Sequence, residues 1–349
     1  MNPYYSILTK AEDTGNLSAG EIKNLLDPPS SKEENELFKA ADRVRQYYMG
    51  DEIWLRGIIE FSNKCSRNCI YCGLRAQNTK KWRYEMTVDE IVNTSKLIAS
   101  LEIGTVVLQS GEYRSCPLEK LKTVIKRIKE IDLAITLSIG EYPRDIYREL
   151  KQAGADRFLL RHETADPDLY EELHPGYKIK DRINALKILK EEGYEVGCGF
   201  MVGLPGQTLD ILAKDVLLCK DIEADMVGIG PFIPHPDTIL KDEKQGDFQM
   251  TLRLLAAIRL VCRDVHLPAT TAMATIDEFG REKAWQAGAN VVMPTATPKP
   301  YRQAYELYPD KKCLEDSVEH CRGCLEMRIL SVGRKVGIGQ GGSYKKKKK

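Results

Sequence analysis

The chain contains no run of about eighteen apolar residues, so no membrane-spanning helix is expected. Its opening, MNPYYSILTKAEDTG, lacks a basic patch followed by an apolar core. No export signal is visible, and a cytoplasmic location is expected. Strong charge of either sign is also missing: 52 Lys+Arg face 51 Asp+Glu, a net +1. That balance offers no broad field to nucleic acid or an anionic membrane, and neither is expected as a partner. Five of the basic residues are Lys345–Lys349; without them the count is 47 against 51, or −4. This lysine tail, 345–349, reads as a solvated disordered end, and no other low-complexity segment is seen. What the chain does have is 42% hydrophobic and 30% charged residues over 349 positions, enough for a soluble protein with a proper core. It also has ten cysteines. Without an export signal, clustered thiols indicate metal or redox chemistry more often than disulfides.

Residues 1–50 read as a helical cap. NLSAGEIKNLL offers an N-cap serine, and Leu37, Ala40, Ala41, Val44 and Tyr48 recur at helical spacing. From residue 51 short apolar runs alternate with amphipathic stretches. The expected strands are Leu55–Phe61, Thr105–Gln109, Ala134–Leu137, Arg157–Leu160, Val196–Phe200, Asp225–Ile229, Pro268–Ala272 and Asn290–Val292. Eight strand–helix alternations in about 250 residues predict an α/β fold, a (β/α)8 TIM-type barrel over 51–300. An open doubly wound sheet is the alternative. Residues 301–344 form a C-terminal extension. In a barrel, chemistry belongs at the C-terminal ends of the strands.

Directly after the first expected strand comes SNKCSRNCIYCGLR. Cys65, Cys69 and Cys72 form C-x3-C-x2-C, with Tyr71 before the last. A structural zinc site takes four protein ligands, usually in two pairs, and no fourth Cys or His is near. A [4Fe–4S] cluster on three thiolates keeps one iron open to a small molecule. This pattern, after the first strand of an α/β barrel, resembles the radical S-adenosylmethionine (SAM) superfamily. The resemblance implies that the open iron chelates SAM and that an electron from the cluster cleaves it to a 5′-deoxyadenosyl radical.

Further polar residues follow the strands. Gln109-Ser110-Gly111-Glu112 resembles the superfamily's glycine-rich turn that receives the SAM amino group. RFLLRHET ends in Arg157, Arg161, His162 and Glu163. Charge at a barrel mouth needs partners or a ligand, and a zwitterion supplies both signs. Glu163 suits an ammonium or a ribose; Arg182 suits a carboxylate. His162 reads as packed or hydrogen-bonded rather than metal-binding. In PFIPHPDT the apolar residues, Ile233 among them, suit an adenine pocket or plain barrel packing.

Near the C-terminus Cys313, Cys321 and Cys324 form C-x7-C-x2-C, with His320 adjacent. An auxiliary Fe–S cluster, [2Fe–2S] or [4Fe–4S], is one reading; zinc with His320 or another fourth ligand is the other. The set is expected near the surface, far from the open iron. The remaining Cys116, Cys198, Cys219 and Cys262 are scattered, and the last two read as small buried apolar groups.

A closer resemblance is carried by EFSNKCSRNCIYCGLR, VLQSGE, RFLLRHETADP, MVGLPGQT, MVGIGPFIPHPDT, PATTAM and VVMPTATPKPYRQAYELYP, followed by the second cysteine set. From about residue 35 to 330 the chain is similar to the HydE family of [FeFe]-hydrogenase maturation proteins. That likeness implies SAM contacts from Glu163 and Arg182, helped by Gln109, the turn Ser110–Glu112, Ser138 and Tyr305. It implies a substrate cavity lined by Thr136, Arg157, Arg161, Met226, Thr270, Thr271, Met293 and Tyr308. The implied substrate is a cysteine-ligated iron carbonyl–cyanide precursor, with a reductant protein and other maturation proteins as partners. The competing enzyme is a methylornithine synthase, which is expected to lack the C-terminal cysteines. Biotin synthase fits less well, since AITLSIG carries no cysteine for that enzyme's second cluster. A non-enzymatic Fe–S carrier would have little use for a charged barrel mouth.

Overall fold

The computed structural model describes residues 3–345. Three helices open the chain, Pro3–Thr14, Ala19–Leu26 and Ser31–Met49. Ser18 and Glu21 form a reciprocal capping box on the second, and Ser30 caps the third. The third buries Leu37, Ala40, Ala41 and Val44 and packs against the helix Phe248–Cys262. Among the described residues no helix is long and apolar enough to cross a membrane.

The first expected strand is two. β1 (Glu52–Leu55) and β2 (Gly57–Ser62) are separated at Arg56. β3 (Thr105–Ser110), β4 (Ala134–Ser138), β5 (Arg157–Leu159) and β6 (Glu195–Cys198) follow. Next come β7 (Met201–Val202), β8 (Met226–Val227), β9 (Gly230–Pro231), β10 (Val291–Val292) and β11 (Lys335–Val336). β2-β3-β4-β5-β6-β8 make one parallel sheet. Single parallel bridges close it: Met226 to His266, Pro268 to Val291, and Thr295 back to Ile58. The result is an eight-stranded α/β barrel of TIM type.

Several expected strands are shorter than their apolar runs, two of them for visible reasons. Pro268 has no N–H to donate, and the run that was to reach Ala272 stops pairing at Ala269, after which Thr270 starts the helix Thr271–Ile276. Beyond Val227, β9 leaves the sheet and pairs with β7 in a two-stranded ribbon over the mouth.

At the opposite end the chain plugs the barrel. β11 pairs beside β1, and the segment after it runs under the base. The Gln340 carbonyl accepts from Thr105 Oγ1 and Arg157 Nη2 at 2.8 and 2.9 Å, and the Gly341 carbonyl accepts from Arg56 Nη2 at 3.2 Å. Lys345, expected in the disordered tail, instead donates through Nζ to the Ala224 carbonyl at 2.6 Å. Lys346–Lys349 lie outside the described residues.

Candidate active site

The loop carrying the cysteine triplet leaves β2 at Ser62 and crosses the C-terminal mouth. Asn63 pins it: Nδ2 donates to the Trp82 and Ala304 carbonyls at 2.7 and 2.9 Å, and Oδ1 accepts from Tyr84 N at 2.8 Å. Ser66 donates from both N and Oγ to the Glu112 carbonyl, joining the loop to the turn after β3. Gly111 is needed there because a Cβ would stand 2.5 Å from the Lys64 carbonyl oxygen and 2.7 Å from Cys65 Cβ. The glycine serves the approach of the cysteine loop, not only that of a ligand.

Cys65, Cys69 and Cys72 are free thiols lining one cavity of about 430 Å³. Burial pushes the Cys69 thiol up to about 12 and raises that of Cys72 as well. Burial disfavours these two thiolates unless bound metal supplies positive charge. The Leu74 N–H already points at Cys72 Sγ at 3.4 Å. Among the described residues, two sets bring three ligand atoms within 4.8 Å of one another: His162–Cys198–Cys219 and Cys313–Asp316–Cys321. The triplet is not one of them. Thiolates on one zinc sit about 2.3 Å from it, so this wider spacing suits a cluster, with each cysteine on a different iron.

The residues assigned to SAM from the sequence all line this cavity, including Ile233 from the ribbon loop and Tyr305 from the extension, and so does Tyr71 before the last cysteine. At its rim three arginines meet three glutamates. Arg67 pairs with Glu112, and its Nη2 lies 3.4 Å from Glu141. Arg182 Nε pairs with Glu141, and Arg161 Nη2 lies 2.9 Å from Glu163 Oε2. The Arg67 guanidinium also covers the Tyr177 ring, 3.4 Å from its centroid. The rim is thus charge-balanced within itself, and a zwitterion would exchange pairs rather than neutralise a lone charge. Glu163 has a left-handed backbone, φ 66°, which aims a non-glycine residue off the end of β5.

Sequence reasoning missed Arg67 and Glu141, although both follow a barrel strand. It also missed Glu60, which lies almost fully buried in β2 and lines the cavity. Its Oε2 accepts from Thr297 and Thr295 hydroxyls at 2.6 and 3.2 Å, and Oε1 pairs with Lys311. This ion pair ties the extension across the mouth. The available signal was a lone acid inside the apolar run LRGIIEF.

Three residues expected in the substrate cavity are elsewhere. Arg161, Thr270, Thr271, Met293 and Tyr308 line the large cavity, but Thr136, Arg157 and Met226 surround a separate void of about 10 Å³ below it. They sit early in their strands; Thr136 is in register with Arg157, and Gly197 with Met226. Arg157 is neutralised by Glu195, Nε to Oε2, at 2.7 Å. The second cysteine set, expected near the surface, is only partly exposed. Cys321 is buried, Cys313 half-buried and only Cys324 exposed, yet all three line the same cavity.

Tyr71 lines the cavity with its hydroxyl already committed. His174 Nδ1 donates to the Tyr170 carbonyl at 3.0 Å, so its Nε2 accepts from Tyr71 Oη at 2.9 Å. Burial, with Arg182 and Arg67 nearby, lowers the His174 pKa from 6.5 to about 3. Between those values the unfolded chain binds a proton that the folded chain refuses. Stability therefore falls with pH below about 6.5, by at most about 1.4 kcal/mol per unit from this group. His235 and His266 are depressed by burial too and push the same way. In denaturant titrations of the cluster-free chain, His174→Gln should lose less stability than the parent between pH 7 and 5.5. Equal losses would remove His174 as a contributor.

A family model described as the radical SAM superfamily matches residues 59–219. The chain is 51% identical over 306 residues to the [FeFe] hydrogenase maturase subunit HydE of Thermotoga maritima, covering 88% of each chain. It is 30% identical over 280 residues, 79% of each, to a 3-methylornithine synthase of Methanosarcina acetivorans. A crystal structure of methylornithine synthase (PylB) superposes with a TM-score of 0.81 at 24% identity, over 95% of this chain and 97% of that one.

Proposed function

We propose, for a chain that belongs to the radical SAM superfamily and within it to the HydE-type [FeFe] hydrogenase maturases, a reaction on a small cysteine-ligated iron carbonyl–cyanide complex held in the barrel cavity. The observation that carries this reading is the 51% identity to HydE over most of both chains, against 30% to the methylornithine synthase.

In this reading Cys65, Cys69 and Cys72 hold a [4Fe–4S] cluster whose open iron takes SAM. Together, when reduced, they supply a 5′-deoxyadenosyl radical. Glu163 receives the SAM ammonium or ribose, and Arg182 offers its fork to the carboxylate. Gln109, Ser138 and Tyr305 complete that end. Arg161 offsets the negative charge of the cyanide-bearing substrate, and the Thr270 and Thr271 hydroxyls orient it. Met293 and Tyr308, with the Lys311–Glu60 tie above them, keep water from the reacting centre. Cys313, Cys321 and Cys324 hold an auxiliary Fe–S cluster. A cytoplasmic reductant protein and other hydrogenase maturation proteins are the partners.

The test is complementation. A host deleted for HydE should recover hydrogenase activity with this chain. Arg161→Ala should cut recovery more than it lowers cluster loading. A chain that fails to complement but converts lysine to 3-methylornithine would replace this reading with the mutase one.

A further inference from the structure

A second thiol-bearing site lies outside the cavity. Gly197 borders the small void inside the barrel, so Cys198, next on the same strand, faces outward. The helix Leu209–Asp221 covers that side and presents Asp215 and Cys219, four residues apart on one face. His162 arrives from just past the end of β5. All four side chains are fully buried, or within a percent of it. Cys198 contacts both Cys219 and His162.

We propose that His162, Cys198 and Cys219 supply three ligands to one divalent thiophilic ion, zinc above all, between the barrel wall and this helix, with a small exogenous ligand such as water completing four-coordination. Their ligand atoms lie within 4.8 Å of one another. Zn–S bonds of about 2.3 Å and Zn–N bonds of about 2.0–2.1 Å place ligands roughly 3.5–4 Å apart, so little closure is required. Two thiolates, a neutral imidazole and a divalent cation sum to zero charge, the condition under which burial costs least. Thiolate with imidazole also selects zinc over divalent ions that favour oxygen, such as magnesium and calcium.

Asp215 supplies the outer support such sites use. Its Oδ1 lies 3.5 Å from His162 Nε2. That leaves Nδ1 as the nitrogen for the ion, in a carboxylate–histidine–metal arrangement. The Asp215 carboxylate also accepts from the Ala165 N–H and, at 3.5 Å, from Gln207 Nε2, so its own charge has donors. The site would lock the end of β5 to β6 and the covering helix, directly beneath the left-handed Glu163. The competing state is a protonated His162 paired with Asp215 beside two free thiols.

Full-length, cluster-reconstituted protein produced with zinc in the medium, then dialysed against EDTA, distinguishes the two. The site predicts close to one zinc per chain, whose zinc K-edge absorption shows two sulfur neighbours and one nitrogen. Cys198→Ala with Cys219→Ala should release that zinc with iron content unchanged. Cys219→Ala alone, a small-for-small exchange, should lower retention at least tenfold and keeps the test readable if the double variant fails to fold. Replacing Cys313, Cys321 and Cys324 by alanine should lower iron and leave the zinc. Parent protein without zinc, zinc retained in Cys219→Ala, or zinc lost with the C-terminal set would each overturn the proposal.

Discussion

Changing any one of Cys65, Cys69 or Cys72 to serine should reduce SAM cleavage to the level of cluster-free protein. The triplet has no spare member. A serine hydroxyl stays protonated where a thiol ionises, and two thiolates cannot hold a cluster that uses three. Rescue by a neighbour is also blocked by geometry. The other cysteines on the cavity belong to the C-terminal set, and Cys116 is not among its lining residues. The measurement is 5′-deoxyadenosine released from SAM under reducing, oxygen-free conditions, together with iron content. Retained cleavage in a single serine variant would refute the assignment of that cysteine.

The second large effect is expected at Arg182. Its guanidinium pairs with Glu141 and donates from Nη1 to the Arg161 carbonyl at 3.2 Å, and the pair is mostly shielded from water. Arg182→Met leaves Glu141 facing only Arg67 at 3.4 Å. Breaking a buried pair from one side costs about 3–5 kcal/mol. It also removes the proposed fork for the SAM carboxylate. A hydrogen bond to a charged group contributes about 1.5–3 kcal/mol, so SAM affinity should drop by at least about tenfold. Adding Glu141→Gln separates the two roles. The double variant should regain much of the lost stability but none of the lost affinity. If affinity returned along with stability, Arg182 would be a structural residue only. Arg182→Lys should fall between, since it keeps the charge and loses the fork.

The barrel was legible because each βα unit repeats the change from an apolar run to an amphipathic stretch. The triplet was legible because thiol spacing is a property of the chain alone. Height along the barrel axis was not. Alternation along a strand tells which side chains point inward, but not whether they stand near the mouth or the base. Thr136, Arg157 and Met226 point inward from the lower layer, so a single list of inward residues merged two spaces. Partners from other strands were equally hidden. Glu141 carries no local sign that it will meet Arg67 and Arg182, because that meeting is decided by loop geometry after β4. Pro268 was visible as a residue, but its effect, a strand reduced to one isolated bridge on each side, depends on which neighbour needed the missing N–H.

The plug beneath the barrel orders events in time. Residues 340–345 leave the ribosome long after the strands they seal. Until then the Arg56 and Arg157 guanidinium groups lack the Gln340 and Gly341 carbonyls, and the base of the nascent barrel is uncovered. Walls can pair vectorially as they emerge, but the base is sealed only once this late segment arrives. An oxygen-sensitive cluster assembled before that moment would sit in a site still wet from below. Premature termination between Thr295 and Gln340 would release a chain with every wall strand present and without these floor contacts.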